Sequence, residues 1–198
     1  TTYTESIFVE CKYGKEKAVD YINSKFERIG TKAPMVGIYG VNEEGAGDMY
    51  AKGSLFLNTI RHLIDQDSLW WSILYDMNTV AFHHKTIGYS DVLAYFNQRT
   101  GMDFTKLFEQ YLRYPSPPKL KYSLKKVKGK TFEVSMQWET DVKGFEMPIA
   151  VLTKKGVYDK VKVSETSPTK VIFKGKKKQF QWNRRAAYYL LAENKQKL

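Results

Sequence analysis

Leu107-Phe-Glu-Gln-Tyr-Leu-Arg-Tyr-Pro-Ser-Pro-Pro-Lys-Leu-Lys-Tyr-Ser-Leu124 contains the change of period that decides the fold. Up to Leu112 the apolar residues recur at three- and four-residue intervals, the spacing of a helix face. Pro115-Ser-Pro-Pro118 then ends helical geometry, because proline has no amide hydrogen and drives the preceding residue toward extended backbone. Beyond it Leu120, Tyr122 and Leu124 alternate with polar residues, the period of a half-buried strand. The chain therefore reads as an α+β protein of two domains. Residues 1–114 are all helical, residues 115–118 form a Pro-rich linker, and residues 119–198 form an antiparallel β-sandwich of immunoglobulin-like size.

Upstream of the linker the helical pattern recurs. Tyr3, Ile7, Phe8 and Cys11 mark a first helix ended by Gly14, with Cys11 read as a core residue. Ala18, Val19, Ile22, Phe26 and Ile29 place a second helix over residues 15–29, stopped by Gly30. Residues 31–47 hold Pro34 and four glycines and read as an ordered loop. Helical spacing resumes over 48–64, then over 67–80 behind Asp67, from Ser90 to Gly101, and from Asp103 onward, with Asp67, Ser90 and Asp103 as N-caps. Downstream, Phe132, Val134, Met136 and Trp138 alternate with polar residues, and shorter runs follow at 146–152, 157–163, 169–173, 179–183 and 188–192. The expectation is seven short strands.

Charge separates the same halves. Residues 1–114 carry 12 Lys+Arg against 14 Asp+Glu, whereas residues 115–198 carry 20 against 7, so the whole excess of +11 lies in the second half. Lys125-Lys-Val-Lys-Gly-Lys130 and Lys174-Gly-Lys-Lys-Lys178 are its densest runs. They read as solubilising lysines on turns and edge strands rather than as phosphate ligands, and no nucleic-acid partner is expected. Trp138, Phe180 and Trp182 alternate as core residues do, not as a stacking platform. No apolar run reaches the roughly 18 to 20 residues of a membrane span. A single cysteine precludes an internal disulfide and leaves the compartment open.

Familiar catalytic motifs are missing: no His-Glu-x-x-His, paired Cys-x-x-Cys, phosphate-binding Gly-rich loop or Gly-x-Ser-x-Gly occurs. Neighbouring His83 and His84 would point apart on a helix and read as a solvated helix end, and His62 stands elsewhere. No metal-ligating residue is assigned. The stretch Gly45-Ala-Gly-Asp-Met-Tyr-Ala-Lys-Gly53 delivers Tyr50 to a helix start, with Gly53 leaving room for a close neighbour. By physics alone a packed aromatic describes Tyr50 better than a functional group.

Four segments, in order, resemble the gluzincin zinc aminopeptidases, the family of alanyl aminopeptidases and leukotriene hydrolase. Tyr50-Ala-Lys-Gly53 followed by an amphipathic helix is similar to the catalytic-tyrosine segment. Pro34-Met-Val-Gly-Ile-Tyr-Gly-Val-Asn42 is similar to a glycine-bearing loop of a bacterial branch. Ser90–Phe96 and Gly101–Arg113, ending in Phe108-Glu-Gln-Tyr-Leu112 and the Pro exit, resemble the closing helices of the catalytic domain. Thr1-Thr-Tyr-Thr-Glu5 resembles the tail of the run that follows the third zinc ligand.

The resemblance covers residues 1–114 and implies the all-helical C-terminal half of a thermolysin-like catalytic domain. It implies a zinc ligand set and general base upstream of Thr1, so zinc belongs to the full-length enzyme and none is expected in this chain. A peptide would be the substrate, with Tyr50 donating to the oxyanion of the tetrahedral intermediate. The helices would pack on the missing N-terminal part of their own domain, and the chain alone would self-associate and be inactive. The β half matches only by position. The competing expectation is a non-catalytic binding module, a helical scaffold with a basic sandwich that grips a polyanion or another protein.

Overall fold

A computed structural model of the chain describes residues 2–38, 40–42 and 46–194. Six α-helices come first: α1 Thr2–Tyr13, α2 Lys15–Asn23, α3 Met49–Ile64, α4 Asp67–Asp76, α5 Tyr89–Thr100 and α6 Thr105–Phe108. Wider π-type turns extend α4 over Met77–Ala81 and α6 over Glu109–Arg113. Six strands follow: β1 Lys119–Lys128, β2 Thr131–Glu139, β3 Glu146–Lys154, β4 Val157–Ser164, β5 Thr169–Lys174 and β6 Leu190–Glu193.

Local chemistry explains most boundaries. Gly14 stands at φ 88 between α1 and α2, a backbone open to glycine at little cost. Gly101 at φ 68 ends α5 and returns its N–H to the Asn97 carbonyl at 2.9 Å. The second helix is shorter than its apolar spacing predicts. The Asn23 amide donates to the Val19 carbonyl and the Ser24 hydroxyl to the Tyr21 carbonyl, taking up carbonyls of the last turns. Phe26 and Ile29 pack on the core from a short 3₁₀ turn and the residue after it. Helix α5 starts one residue before Ser90: Gly88 is the N-cap, and the Asp91 carboxylate accepts its N–H at 2.8 Å. Asp103 accepts the Thr105 N–H at 2.9 Å. Asp67 lies inside α4, and its carboxylate is drawn to Arg61 and Lys15.

The sheet runs β4-β3-β5-β2-β1-β6 and is mixed, not the wholly antiparallel immunoglobulin-like sandwich expected. β1/β2, β2/β5 and β3/β4 pair antiparallel, β6 lies parallel to β1, and β3 meets β5 in parallel at the single pair Lys154↔Lys174. The cause is the return path after β5. Residues 186–189 run against the helices, and the Leu190 N–H then bonds the Pro118 carbonyl at 3.0 Å. β6 thus departs from the end where β1 departs, and parallel pairing follows. Residues 179–183 form no strand, although Phe180 and Trp182 alternate. Trp182 makes one isolated bridge to Val151, and its ring stands edge-on to Tyr122 and Phe180 at 4.9 and 5.0 Å. These aromatics pack on the core, as their alternation suggested.

Helices and sheet share one hydrophobic core. Leu55, Phe56 and Ile60 of α3, Trp70 and Ile73 of α4, Phe96 of α5 and Phe108 of α6 join Leu120, Val134, Met136 and Trp138 of the sheet. Polar groups fix the junction. Gln110 is buried and makes four hydrogen bonds: its amide donates to the Ser116 carbonyl and the Asp141 carboxylate, and its oxygen accepts the N–H groups of Asp141 and Val142. The Tyr111 hydroxyl donates to the Tyr188 carbonyl, and the Tyr188 N–H donates to the Thr59 hydroxyl at 2.9 Å.

Arg61 ties three helices together. Its guanidinium holds Glu10 of α1 through two bonds at 2.5 and 2.8 Å, donates to Asp67 of α4 at 3.0 Å and lies 5.1 Å from the Trp71 ring centre. Its side chain is almost fully buried, so removing it strands the Glu10 carboxylate. Arg61→Ala should cost about 3 kcal/mol in urea unfolding at neutral pH. Hydrogen bonds from Arg61 and then Lys15 lower the Asp67 carboxyl to about 2. A lowered folded value stabilises above the unfolded carboxyl range and fades as pH falls toward 2. The variant should therefore show a flatter loss of stability between pH 4 and 2.

Candidate functional site

Tyr50 sits in the first turn of α3, a helix buried on nearly every side. Ala51, Lys52, Ser54, Leu55, Phe56 and most residues after them are covered, whereas Tyr50 is 61% exposed and Met49 beside it is open as well. The Tyr50 hydroxyl has no hydrogen-bond partner among the described residues. Helix N-termini favour negative charge, because the first backbone N–H groups have no carbonyl partner within the helix. A phenol there is a donor at a helix end suited to an anion.

The loop before α3 is anchored, so this placement is not left to chance. The Asp48 carboxylate accepts the N–H groups of Gly30 and Thr31 at 2.9 and 2.7 Å, clamping the loop's entry to its exit. The Ala46 N–H reaches the Pro34 carbonyl at 3.2 Å, and the N–H groups of Met35 and Val36 share the Leu112 carbonyl at 3.0 Å. Residues 39 and 43–45 of the quoted glycine-bearing stretches lie outside the described residues. Ile38 and Val41 in the loop, with Met49 and Tyr50, leave large apolar side chains uncovered.

Sequence reasoning missed Lys52. It is 0% exposed, and its ammonium donates to the backbone carbonyls of Tyr114 at 2.7 Å and Pro115 at 2.8 Å. Burial pulls it down to about 8, with Asp48 opposing weakly. Its work is to bolt the start of the linker to α3, two residues from Tyr50. No local signal reveals this, since the partners lie more than sixty positions away.

Several expectations need correcting. Gly53 has open space around it, and nothing among the described residues packs against that spot. Cys11 is exposed rather than in the core: α1 turns Tyr3 and Ser6 inward, and Phe8 and Cys11 fall on its outer side. The rings of His83 and His84 do not point apart, because these residues lie past the helix in a turn. With His84 at φ 55, the ring centres are 3.8 Å apart. Both are exposed, and among the described residues no three His, Cys, Asp or Glu side chains are grouped to hold a metal.

A concavity lies between the end of α3 and the sheet. It has a volume of about 250 Å³ and is lined by His62, Asp65, Tyr158, Lys160 and Tyr189 among others. Burial, then the charges of Arg61 and Lys15, lower the His62 imidazole below its ordinary value. Lys160 of β4 donates to the Leu63 and His62 carbonyls at 3.2 and 3.4 Å, capping the carbonyl end of α3 with a cation. Its ammonium also meets the Asp65 carboxylate at 3.5 Å.

No family model matches the chain, and no curated protein matches it. Among solved structures it is similar to the crystal structure of Legionella pneumophila aminopeptidase A in complex with aspartic acid. The identity is 11% and the TM-score 0.67, over 98% of this chain and 23% of that one. A likeness at that identity is one of fold alone, and no helix here is long and apolar enough to cross a membrane among the described residues. The chain thus has an α+β fold found as a segment, about a quarter of the length, of an aminopeptidase.

Proposed function

We propose that the chain is the C-terminal part of a gluzincin-type zinc aminopeptidase. On this reading residues 1–114 close the catalytic domain, 115–118 are its exit and 119–198 are an appended sheet domain. The observation that carries it is Tyr50: a phenol with no partner among the described residues, on an otherwise buried helix held by a clamped loop. The likeness to an aminopeptidase over nearly the whole chain supports the same reading.

The described residues hold no cluster fit for zinc, so the metal and the general base would come from residues outside this chain. This chain would supply one wall of the active site and one oxyanion donor. In hydrolysis of an N-terminal peptide bond, the Tyr50 hydroxyl would donate to the carbonyl oxygen as that oxygen gains negative charge. Phe8, Ile38, Val41 and Met49 would be covered by the rest of the catalytic domain, and the isolated chain would associate through them.

Equilibrium dialysis and a peptidase assay test this together. The isolated chain should bind no stoichiometric zinc and cleave no N-terminal residue. The longer protein encoded with it should do both. One tight zinc on the isolated chain, or a longer protein without aminopeptidase activity, would contradict the reading and leave the binding-module alternative.

A further inference from the structure

The strand register gathers lysines that the sequence spreads over fifty residues. Lys128 faces Thr131 across β1/β2, Thr131 faces Lys174 across β2/β5, and Lys174 faces Lys154 across β5/β3. With neighbouring strands about 4.8 Å apart, this one row crosses roughly 15 Å of sheet. The turns beyond the row add Lys130, Lys155, Lys176, Lys177 and Lys178, and the Gly175 N–H bonds the Lys130 carbonyl at 2.8 Å, holding two of those turns together. All eight lysines are exposed.

Several lysines elsewhere in the sheet are neutralised: Lys119 and Lys121 by Glu139, Lys162 by Glu146, Lys170 by Glu133. Among the described residues no carboxylate pairs with any of the eight. Edge protection does not account for them. The edge strands are β4 and β6, whereas Lys154 and Lys174 stand on the interior strands β3 and β5. Like charges directly opposite each other weaken a ladder, so Lys154 against Lys174 opposes folding rather than serving it.

We infer that this end of the sheet docks on an anionic lipid surface. Two observations favour lipid over nucleic acid. The patch holds no arginine, and Phe180 and Trp182 are packed on the core rather than open for bases to stack on. Val127 is 60% exposed within Lys125-Lys-Val-Lys128, at the bulge near the β1/β2 turn. Compact ammonium charges around one bare apolar side chain suit headgroups with acyl chains just beneath them.

The inference stands apart from the peptidase reading, and co-sedimentation with vesicles tests it. The protein should bind phosphatidylcholine vesicles that contain phosphatidylserine, not phosphatidylcholine alone, and binding should weaken as salt rises. Each lysine near such a surface adds about fivefold, so Lys174→Glu/Lys177→Glu/Lys178→Glu should weaken binding by at least about a hundredfold. Lys119→Ala/Lys121→Ala, at the other end of β1, should leave it unchanged. Val127→Ser should weaken vesicle binding without changing retention on heparin. Unaltered melting curves would show that the variants fold. Failure to bind anionic vesicles overturns the inference. So does vesicle binding indifferent to Val127→Ser together with equal lysine dependence on duplex DNA, which would mark a general polyanion surface.

Discussion

Tyr50→Phe in the longer protein should lower kcat about 100- to 1000-fold, the loss typical of one oxyanion donor. KM should change little, because the hydroxyl would engage the substrate oxygen strongly only as that oxygen becomes negative. The change removes one atom from a side chain that is already mostly exposed and has no hydrogen bond among the described residues, so stability should hold. This separation is the value of the variant: lost turnover cannot be laid to lost folding. Equal kcat in the variant and the parent would remove Tyr50 from the chemistry. A raised KM with unchanged kcat would make it a binding residue only.

The second large effect falls on Lys52. Lys52→Ala removes a buried side chain and leaves the carbonyls of Tyr114 and Pro115 without their donor, at about 1–3 kcal/mol for each stranded group. A total near 4 kcal/mol would be a large share of the 5–15 kcal/mol that holds a domain together. The pH dependence gives an independent signature. The ammonium in the folded chain releases its proton near pH 8, well below the ordinary lysine value of 10.5. Between these values the unfolded chain holds the proton and the folded chain does not, so stability rises with pH. Burial raises Tyr188 and Tyr189 above their ordinary 10.0, so above that pH the folded chain keeps protons the unfolded chain loses, and stability falls. Urea unfolding of the parent should show a maximum between about pH 9 and 10. Lys52→Met should lose the rising limb and keep the falling one. A rising limb that survives in Lys52→Met would mean that another group titrates there.

The parts of the fold that were legible in the sequence are those set by neighbours along the chain. The change of period across Pro115–Pro118 divides helices from strands because each element's burial pattern is local. The alternation of Phe132, Val134, Met136 and Trp138 marks β2, and all four are buried. The helix start at position 50 was legible for the same reason, but the exposure of its side chain was not: by spacing alone Tyr50 reads as a packed aromatic, and it is 61% exposed.

What was not legible depends on distant partners. β6 is parallel because Tyr188 is held by Tyr111 and Thr59, a contact that no stretch around residue 190 announces. Phe180 and Trp182 alternate as a strand does because residues two apart lie on the same side of an extended segment and both pack on the core, and the two patterns are identical in one dimension. Cys11 and Phe8 keep the spacing of a core face although they lie on the outer side of α1. An apolar face reserved for another element reads the same as one already covered. The lysine end escaped for a further reason: register, not sequence, puts Lys128, Lys154 and Lys174 in one row.

On the peptidase reading the Tyr50 hydroxyl would meet the oxygen that becomes negative during peptide hydrolysis. The most direct measurement is a crystal structure of the longer protein with a phosphinic peptide, a mimic of the tetrahedral intermediate. The Tyr50 oxygen should lie about 2.7–3.1 Å from a phosphinate oxygen. A phosphinate bound with Tyr50 turned away from it, or covered by another part of the protein, would contradict that reading.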